Sequence, residues 1–473
     1  MRVKYPPVIP IAPVIPSAPV IPSAPRHPER SEGSALRPDT TAGRYTQTMR
    51  PLDQLAEMKG QFGRAAAVRA ARLLESLRRS RLRDPAHLIR LHEIVLFLRA
   101  YPQSPRVLRL SDDILFSFSD RLRGVNRDPF ENPEVSGIAG TGLATNFSHE
   151  VARRLVARHV TRHNPRAIVI DWENYGHADR LGAVLAELVP ESREDFGVSA
   201  HPDARRWFAR LKGGLKTLVD RVDPRVYDLL EIPLRWEIDD SAASRSRTRI
   251  PRRPVFYHDR PFLKRGEISL ASEFAAPKIA VTKLPRSRAE KILALVLDTS
   301  AVRYRELYGF TYPDRARVRH ADLGRGMDFF FFPVDPRRRL IRDYHAGMYF
   351  KNGVPIGYVE LLSANGVMEV GFNLYYTFRE AETAWLYARL LKIFRERLGA
   401  KRFTVDPYQL GHENQEAIDS GSFWFYRKLG FRSTSAEIAK LIEREESKIS
   451  GVPGYRTPPA TLRKLARAPL IYD

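Results

Sequence analysis

Residues 425–431 read Phe425-Tyr426-Arg427-Lys428-Leu429-Gly430-Phe431, and the fold is decided around them. The stretch reads as the end of a helix over residues 422–429, stopped at Gly430, where a glycine relieves the left-handed backbone that closes a helix. Working back toward the N-terminus, residues 402–406 form a short strand. A helix from about Glu380 buries Ala384, Ala388, Leu391, Phe394 and Leu398 on one stripe. Residues 368–375 alternate strictly, with Met368, Val370, Phe372 and Leu374 on one face and Glu369, Gly371, Asn373 and Tyr375 on the other. Residues 344–350 and 355–362 are strands around Lys351-Asn352-Gly353-Val354, whose Asn-Gly pair is the strongest short hairpin signal. Residues 329–332 add a further strand. Residues 287–305 form an amphipathic helix with Ile292, Leu293, Leu295, Val296 and Leu297.

This order of helix, meander, helix, strand, helix and strand, over residues 287–435, resembles the acyl-CoA N-acyltransferases of the GNAT type. The most specific fragment is Tyr426 followed by Leu429-Gly430-Phe431. Asn414 and Ala417 are similar to the family's Asn-x-x-Ala, with an insertion at residues 419–424 altering the spacing to Tyr426. The resemblance covers about a third of the chain. It implies an α/β (α+β) fold in residues 286–445, with a mixed sheet and flanking helices. It also implies transfer of an acyl group from acetyl-CoA or another acyl-CoA to an amine. An amine attacking a thioester must lose a proton and the departing thiolate must gain one.

By that resemblance Tyr426 is the acid and Glu369 the base, acting directly or through water. Taken alone, Tyr426 also fits a core aromatic beside Phe423, Trp424 and Phe425, and Glu369 an exposed strand carboxylate. The resemblance assigns acyl-CoA binding to Phe372, Asn373, Leu374 and Tyr375 of the splayed strand, to Asn414, and to Arg379, Thr383 and Ala384 at a helix start. Free N–H groups at a helix start suit a diphosphate. The family writes this loop Arg/Gln-x-x-Gly-x-Gly/Ala, and here it is Arg379-Glu380-Ala381-Glu382-Thr383-Ala384. Glu382 replaces the central glycine, and two carboxylates oppose phosphate. A GNAT-shaped module that binds a ligand or partner without transfer is therefore a second expectation.

The remaining 1–285 organise differently. Residues 1–48 read as a disordered proline-rich arm, because Val-Ile-Pro-Ser-Ala-Pro at 14–19 recurs at 20–25 and proline at every third position favours extended polyproline. Residues 27–34 resemble the translation of a repetitive intergenic element of bacterial genomes, which makes Met49 an alternative start. Residues 49–285 are expected to be mainly helical, with a helix pair over 52–125, a helix from Ser148 and a short buried segment at 167–171. Residues 241–254 are a polar linker and 446–473 a tail.

With 78 Lys+Arg against 55 Asp+Glu the net charge is +23, which attracts nucleic acid, anionic lipid or a polyphosphate, so a basic nucleic-acid-binding protein is a third expectation. The absence of cysteine excludes disulfides, thiolate metal sites and thiol nucleophiles. No metal is expected. No run approaches the roughly 18 apolar residues of a membrane helix, nor does the N-terminus carry the apolar helix of a secretory signal, so the expected location is cytoplasmic.

Weaker patterns complete the reading. Residues 137–142, Gly-Ile-Ala-Gly-Thr-Gly, fit a phosphate cradle before a helix or a plain turn. His159 and His163 share a helix face at ligand spacing, although no third ligand is evident, and His149-Glu150 begins a metalloprotease-like pattern that fails at Arg153. Residues 171–177, Asp-Trp-Glu-Asn-Tyr-Gly-His, fit either a contact for the acyl acceptor or a capped turn.

Overall fold

The computed structural model describes residues 51–192, 203–239 and 243–473, all within one compact unit. The proline-rich arm and Met49 lie outside the described residues, as do the first positions of the 241–254 linker. Among the described residues four helices, not a pair, occupy 51–116: α1 (residues 51–58), α2 (Arg64–Arg79), α3 (Pro85–Ala100) and α4 (Pro105–Phe116). The apolar periodicity is cut by two helix starts with proline at the first position. The side chain of Asp84 accepts from the His87 N–H at 2.9 Å and that of Ser104 from Val107 at 3.3 Å.

A three-stranded sheet follows, made of β1 (Thr141–Asn146), β2 (Ile168–Ile170) and β3 (Pro233–Ile238), with β3 central. The glycine stretch at 137–142 thus runs into a strand rather than a helix. A Cβ on Gly140 would stand 2.9 Å from the Ser119 Cα, so that glycine serves close packing. Helix α5 (His149–His159) and the helices Ala178–Leu188, Ala204–Arg210, Gly214–Arg221 and Pro224–Leu230 surround this sheet around a core of their own.

The large sheet is mixed and has nine strands among the described residues. In chain order these are β4 (Val281–Lys283), β5 (Arg319–Gly324), β6 (Met327–Pro333), β7 (Asp343–Lys351), β8 (Val354–Ala364), β9 (Val367–Leu374), β10 (Arg402–Val405), β11 (Arg432–Ser433) and β12 (Leu470–Tyr472). In space they lie β11-β12-β10-β9-β8-β7-β6-β5-β4, and only β9 and β10 are parallel neighbours. The β7–β8 turn is built as expected, with Asn352 at φ 47° and Gly353 at φ 83°. The last residues do not trail as a tail: β12 inserts between β10 and β11, antiparallel to both.

The two faces of the sheet are covered separately. Phe330, Phe332, Ala346, Met348 and Tyr358 pack with Ile292, Leu293 and Val296 of α6 (Arg286–Ala301). Phe329, Phe331, Val359, Leu361, Met368 and Val370 share a core with Leu390, Leu391 and Phe394 of α7 (Thr383–Leu398), and with Leu88, Leu91 and Phe97 of α3. Helix α3 is therefore part of the packing of the sheet. No helix among the described residues is long and apolar enough to cross a membrane.

A buried polar stitch holds α3 to the loop after β9. The Glu93 carboxylate accepts from Arg245 at 2.8 and 2.9 Å and from the Thr377 hydroxyl, and touches His92 at 3.0 Å. Burial works to raise the Glu93 carboxyl, but the Arg245 charge and the hydrogen bonds outweigh it and hold the group at about 2. Removing one partner of a buried pair leaves the other uncompensated, so Glu93→Gln should cost about 3–5 kcal/mol in urea unfolding. Because the folded carboxyl lies below its ordinary value, its contribution is present above about pH 4.5 and lost toward pH 2. The variant should therefore show a flatter acid limb in unfolding curves taken across that range.

Candidate active site

The parallel pairing of β9 with β10 is brief. Val367, Met368 and Glu369 face Arg402, Phe403 and Thr404, after which β10 ends while β9 continues to Leu374, paired with β8 alone. Beyond these pairs the edge of β9 that faces β10 has no strand partner, and this unpaired edge forms a wedge. Its far bank is the turn at Pro407–Leu410, the helix α8 (Gln415–Asp419) and the helix α9 (Ser422–Arg427).

Two hydrogen-bond donors from opposite banks converge in this wedge. The backbone N–H of Phe372 donates to the Gln409 side-chain oxygen at 3.4 Å, and the Tyr426 hydroxyl donates to the same oxygen at 3.3 Å. The Gln409 amide nitrogen lies 3.0 Å from where a Cβ on Gly371 would stand, so a side chain at that position would push it back by a few tenths of an ångström. Tyr426 is buried and packs edge-to-face against Tyr387 at 5.5 Å and Phe431 at 5.9 Å. Burial raises its phenol well above the ordinary value, so it stays protonated at neutral pH and is a donor. The neighbouring Tyr387 hydroxyl is buried and finds no partner among the described residues, and the same holds for Tyr375 at the end of β9.

A carboxylate not singled out from the sequence completes the group. Glu360 on β8 sits directly opposite Gly371 in the β8–β9 register, and its Cβ is 3.6 Å from where a Cβ on Gly371 would stand. Burial raises the Glu360 carboxyl, while a hydrogen bond from the Tyr344 hydroxyl and the charge of Arg305 act the other way. The signal in the sequence was an acid in the middle of the otherwise apolar β8; nothing local marked Gln409.

The expected site residues divide. Phe372 and Tyr426 meet at Gln409, beside Gly371, which was not among the expected residues, and Asn373 continues the same strand. Glu369 lies at the closed end, where the strands are still paired, and forms an ion pair with Arg342 at 2.7 Å. Asn414 caps α8, accepting from the Ala417 N–H at 3.1 Å. Arg379 reaches across the mouth to Glu416 and donates to the Leu374 carbonyl at 3.3 Å. Thr383 bonds back to the Arg379 carbonyl at 3.1 Å, and Ala384 is buried in the first turn of α7. Asp171 and its neighbours close on themselves in the small sheet: Asn174 donates to Asp171 at 2.9 Å and Tyr175 to the Leu230 carbonyl at 3.0 Å. His159 stands 3.3 Å from Asp298, and the His149 ring nitrogen bonds the Val219 carbonyl at 2.7 Å. Among the described residues no three His, Asp or Glu come together as metal ligands.

Glu382 has a local cause. Its buried carboxylate accepts from Arg325 at 2.5 and 3.0 Å and from the Leu263 N–H at 3.2 Å, and Glu380 pairs with Lys59 at 2.7 Å. The acid opposes two cations at once, since the Arg325 guanidinium lies near the Lys351 ammonium, which donates to the Arg325 carbonyl in a nearly solvent-free pocket with the Tyr101 and Phe256 rings at 4.8 and 4.7 Å from the nitrogen. His258 lies in the same pocket between Phe62, Tyr101, Phe256 and Phe262, and neither ring nitrogen finds a partner among the described residues. For a diphosphate the fit is partial. The acids are already neutralised, yet Arg379 is the only cation that residues 376–384 offer.

No family model matches the chain, and no curated protein or solved structure matches it.

Burial pushes Lys351 down to about 7, with the Glu382 charge opposing. The folded value lies below the unfolded one, so between about pH 7 and 10.5 the unfolded chain holds the extra proton and stability should rise with pH. Lys351→Met should remove that rise, as read from thermal unfolding at pH 7 and pH 9.

Proposed function

We propose that the chain is an acyl-CoA-dependent N-acyltransferase with a GNAT-type domain in its C-terminal half, working in the wedge between β9 and β10. The observation that carries the reading is the convergence of the Phe372 N–H and the Tyr426 hydroxyl on one oxygen, just beyond the last paired residues of two parallel strands. A thioester presents an oxygen and a sulfur that need such donors: one to accept the charge that develops on the carbonyl oxygen, the other to protonate the departing thiolate. In this reading the Gln409 carboxamide occupies the place of the thioester and withdraws when substrate binds.

The reaction needs a base as well as an acid. A carboxylate raised by burial takes a proton from an ammonium more readily than an ordinary one, and the acceptor amine becomes a nucleophile once that proton is gone. This assigns the base to Glu360 rather than Glu369, which is engaged by Arg342. Tyr426, kept protonated by burial, supplies the proton that leaves with the thiol. Arg379 meets the diphosphate after releasing Glu416. A module that binds without transfer is the second reading, favoured by Gln409 within the wedge and by Glu382 at the helix start.

Acetyl-CoA at millimolar concentration should raise the melting temperature, since a ligand that binds only the folded state stabilises it. Gln409→Ala should enlarge that shift. With a panel of amines and a thiol-release assay, Tyr426→Phe and Glu360→Gln should each lower kcat by about 10²–10⁴-fold while leaving the acetyl-CoA shift in place. A shift without turnover supports the binding module. No shift in either the native protein or Gln409→Ala sinks the transferase reading and favours a module that takes a ligand other than acyl-CoA.

A further inference from the structure

On the opposite edge of the large sheet, α5, the start of α6, the loop before β5 and the turn after β6 enclose a cleft of about 1100 Å³. Seven cationic side chains line it: Arg153, Arg154, Lys283, Arg286, Arg315, Arg337 and Arg338. Three acids accompany them: Glu150, Asp314 and Asp335. All three acids are already engaged. Glu150 pairs with Arg153 at 3.0 Å and Arg154 at 2.7 Å, Asp335 with Arg337 at 2.8 Å, and Asp314 with Arg317 at 2.5 Å. Lys283 and Arg315 form no ion pair among the described residues, and Arg338 shares Asp335 with Arg337 through its charge alone.

The cations also crowd one another. Burial lowers the Arg154 guanidinium despite Glu150 beside it, and the charge of Arg315 lowers it further. The Nε of Arg154 is buried with no acceptor among the described residues. Leu284, Pro285 and Arg286 bring the first turn of a 16-residue helix to the wall, where N–H groups lack carbonyl partners within the helix. Arg338 lies over the Tyr312 ring at 4.8 Å and forms a flat ledge.

We infer that this cleft is a binding site for a small polyphosphorylated molecule, distinct from the wedge and independent of the acyl-transfer reading. Guanidinium forks and a helix start match phosphate oxygens in geometry as well as charge. A concave site of this volume holds one compact ligand, whereas a nucleic-acid backbone is followed by a stripe or groove of basic residues. The proposal adds a specific site to what was only a global excess of positive charge.

Inorganic triphosphate is the probe. Calorimetry on the full chain should give one site per chain, weakening as salt rises. Lys283 and Arg315 are exposed, so Lys283→Glu with Arg315→Glu spares the core and should weaken binding by about a hundredfold. Arg315→Gln alone should weaken it by about tenfold. Arg162→Glu, an exposed charge reversal outside the cleft, should change it by less than about twofold. The proposal is overturned if the native chain gives no triphosphate binding, if Arg162→Glu weakens it as much as the cleft variants, or if a single-stranded RNA binds tighter than triphosphate and loses affinity equally in all variants.

Discussion

Of two parallel neighbours of unequal length, the longer keeps an unpaired edge where the shorter one stops, and β10 stops for a chemical reason. Pro407 has no N–H for a ladder and sits at the first position of a turn, which Asp406 starts by accepting the Tyr408 N–H at 2.8 Å. Strand β9 meets no such brake and keeps its pairing with β8 through Leu374. Beyond Glu369 its open edge carries backbone donors that need partners away from any strand, and Phe372 finds one in Gln409. The gap, the glutamine within it and the tyrosine that meets that glutamine all follow from where one short strand ends.

Charges buried elsewhere account for residues that look out of place against a family pattern. Glu382 is a poor neighbour for phosphate, but it is the counter-ion of Arg325 beside a Lys351 that solvent does not reach. Glu93 is an acid on a helix whose apolar residues pack into the main core, and it answers Arg245. In both cases the cost of removing a charge from water is offset by a partner from a distant part of the sequence. A motif comparison sees only the position and not the partner.

How much was legible before the structure follows the same division. The Asn352-Gly353 turn, the alternation of β9, the apolar stripe of α7 and the glycine stop at Gly430, with φ 101°, are local, and each took its expected form. The starts of α3 and α4 were also written locally, in Asp84-Pro85 and Ser104-Pro105, and a stronger weight on them would have separated the helices. Strands β1, β3 and β12 were not legible, because short or polar strands are stabilised by partners far along the chain. β12 depends on Phe403 and its neighbours. Tyr426 could be read from its own helix. Glu360 and Gln409 could not be joined to it, because only the register across β8 and β9 brings them to Gly371.

The fastening of residues 377–378 has a mechanical consequence. Thr377 is bound to Glu93, and Phe378 stacks on Phe97 at 6.4 Å, so the loop beside the wedge is riveted to a helix of the main core. A loop held this way cannot flap alone; displacing it would drag the helical layer along. The opposite bank is hung otherwise, with Gly411 at φ 121° and Gly421 at φ 68° bracketing the segment that carries Asn414 and α8. The ion pair of Arg379 with Glu416 ties the two jambs of the doorway together, so opening it means breaking that pair first.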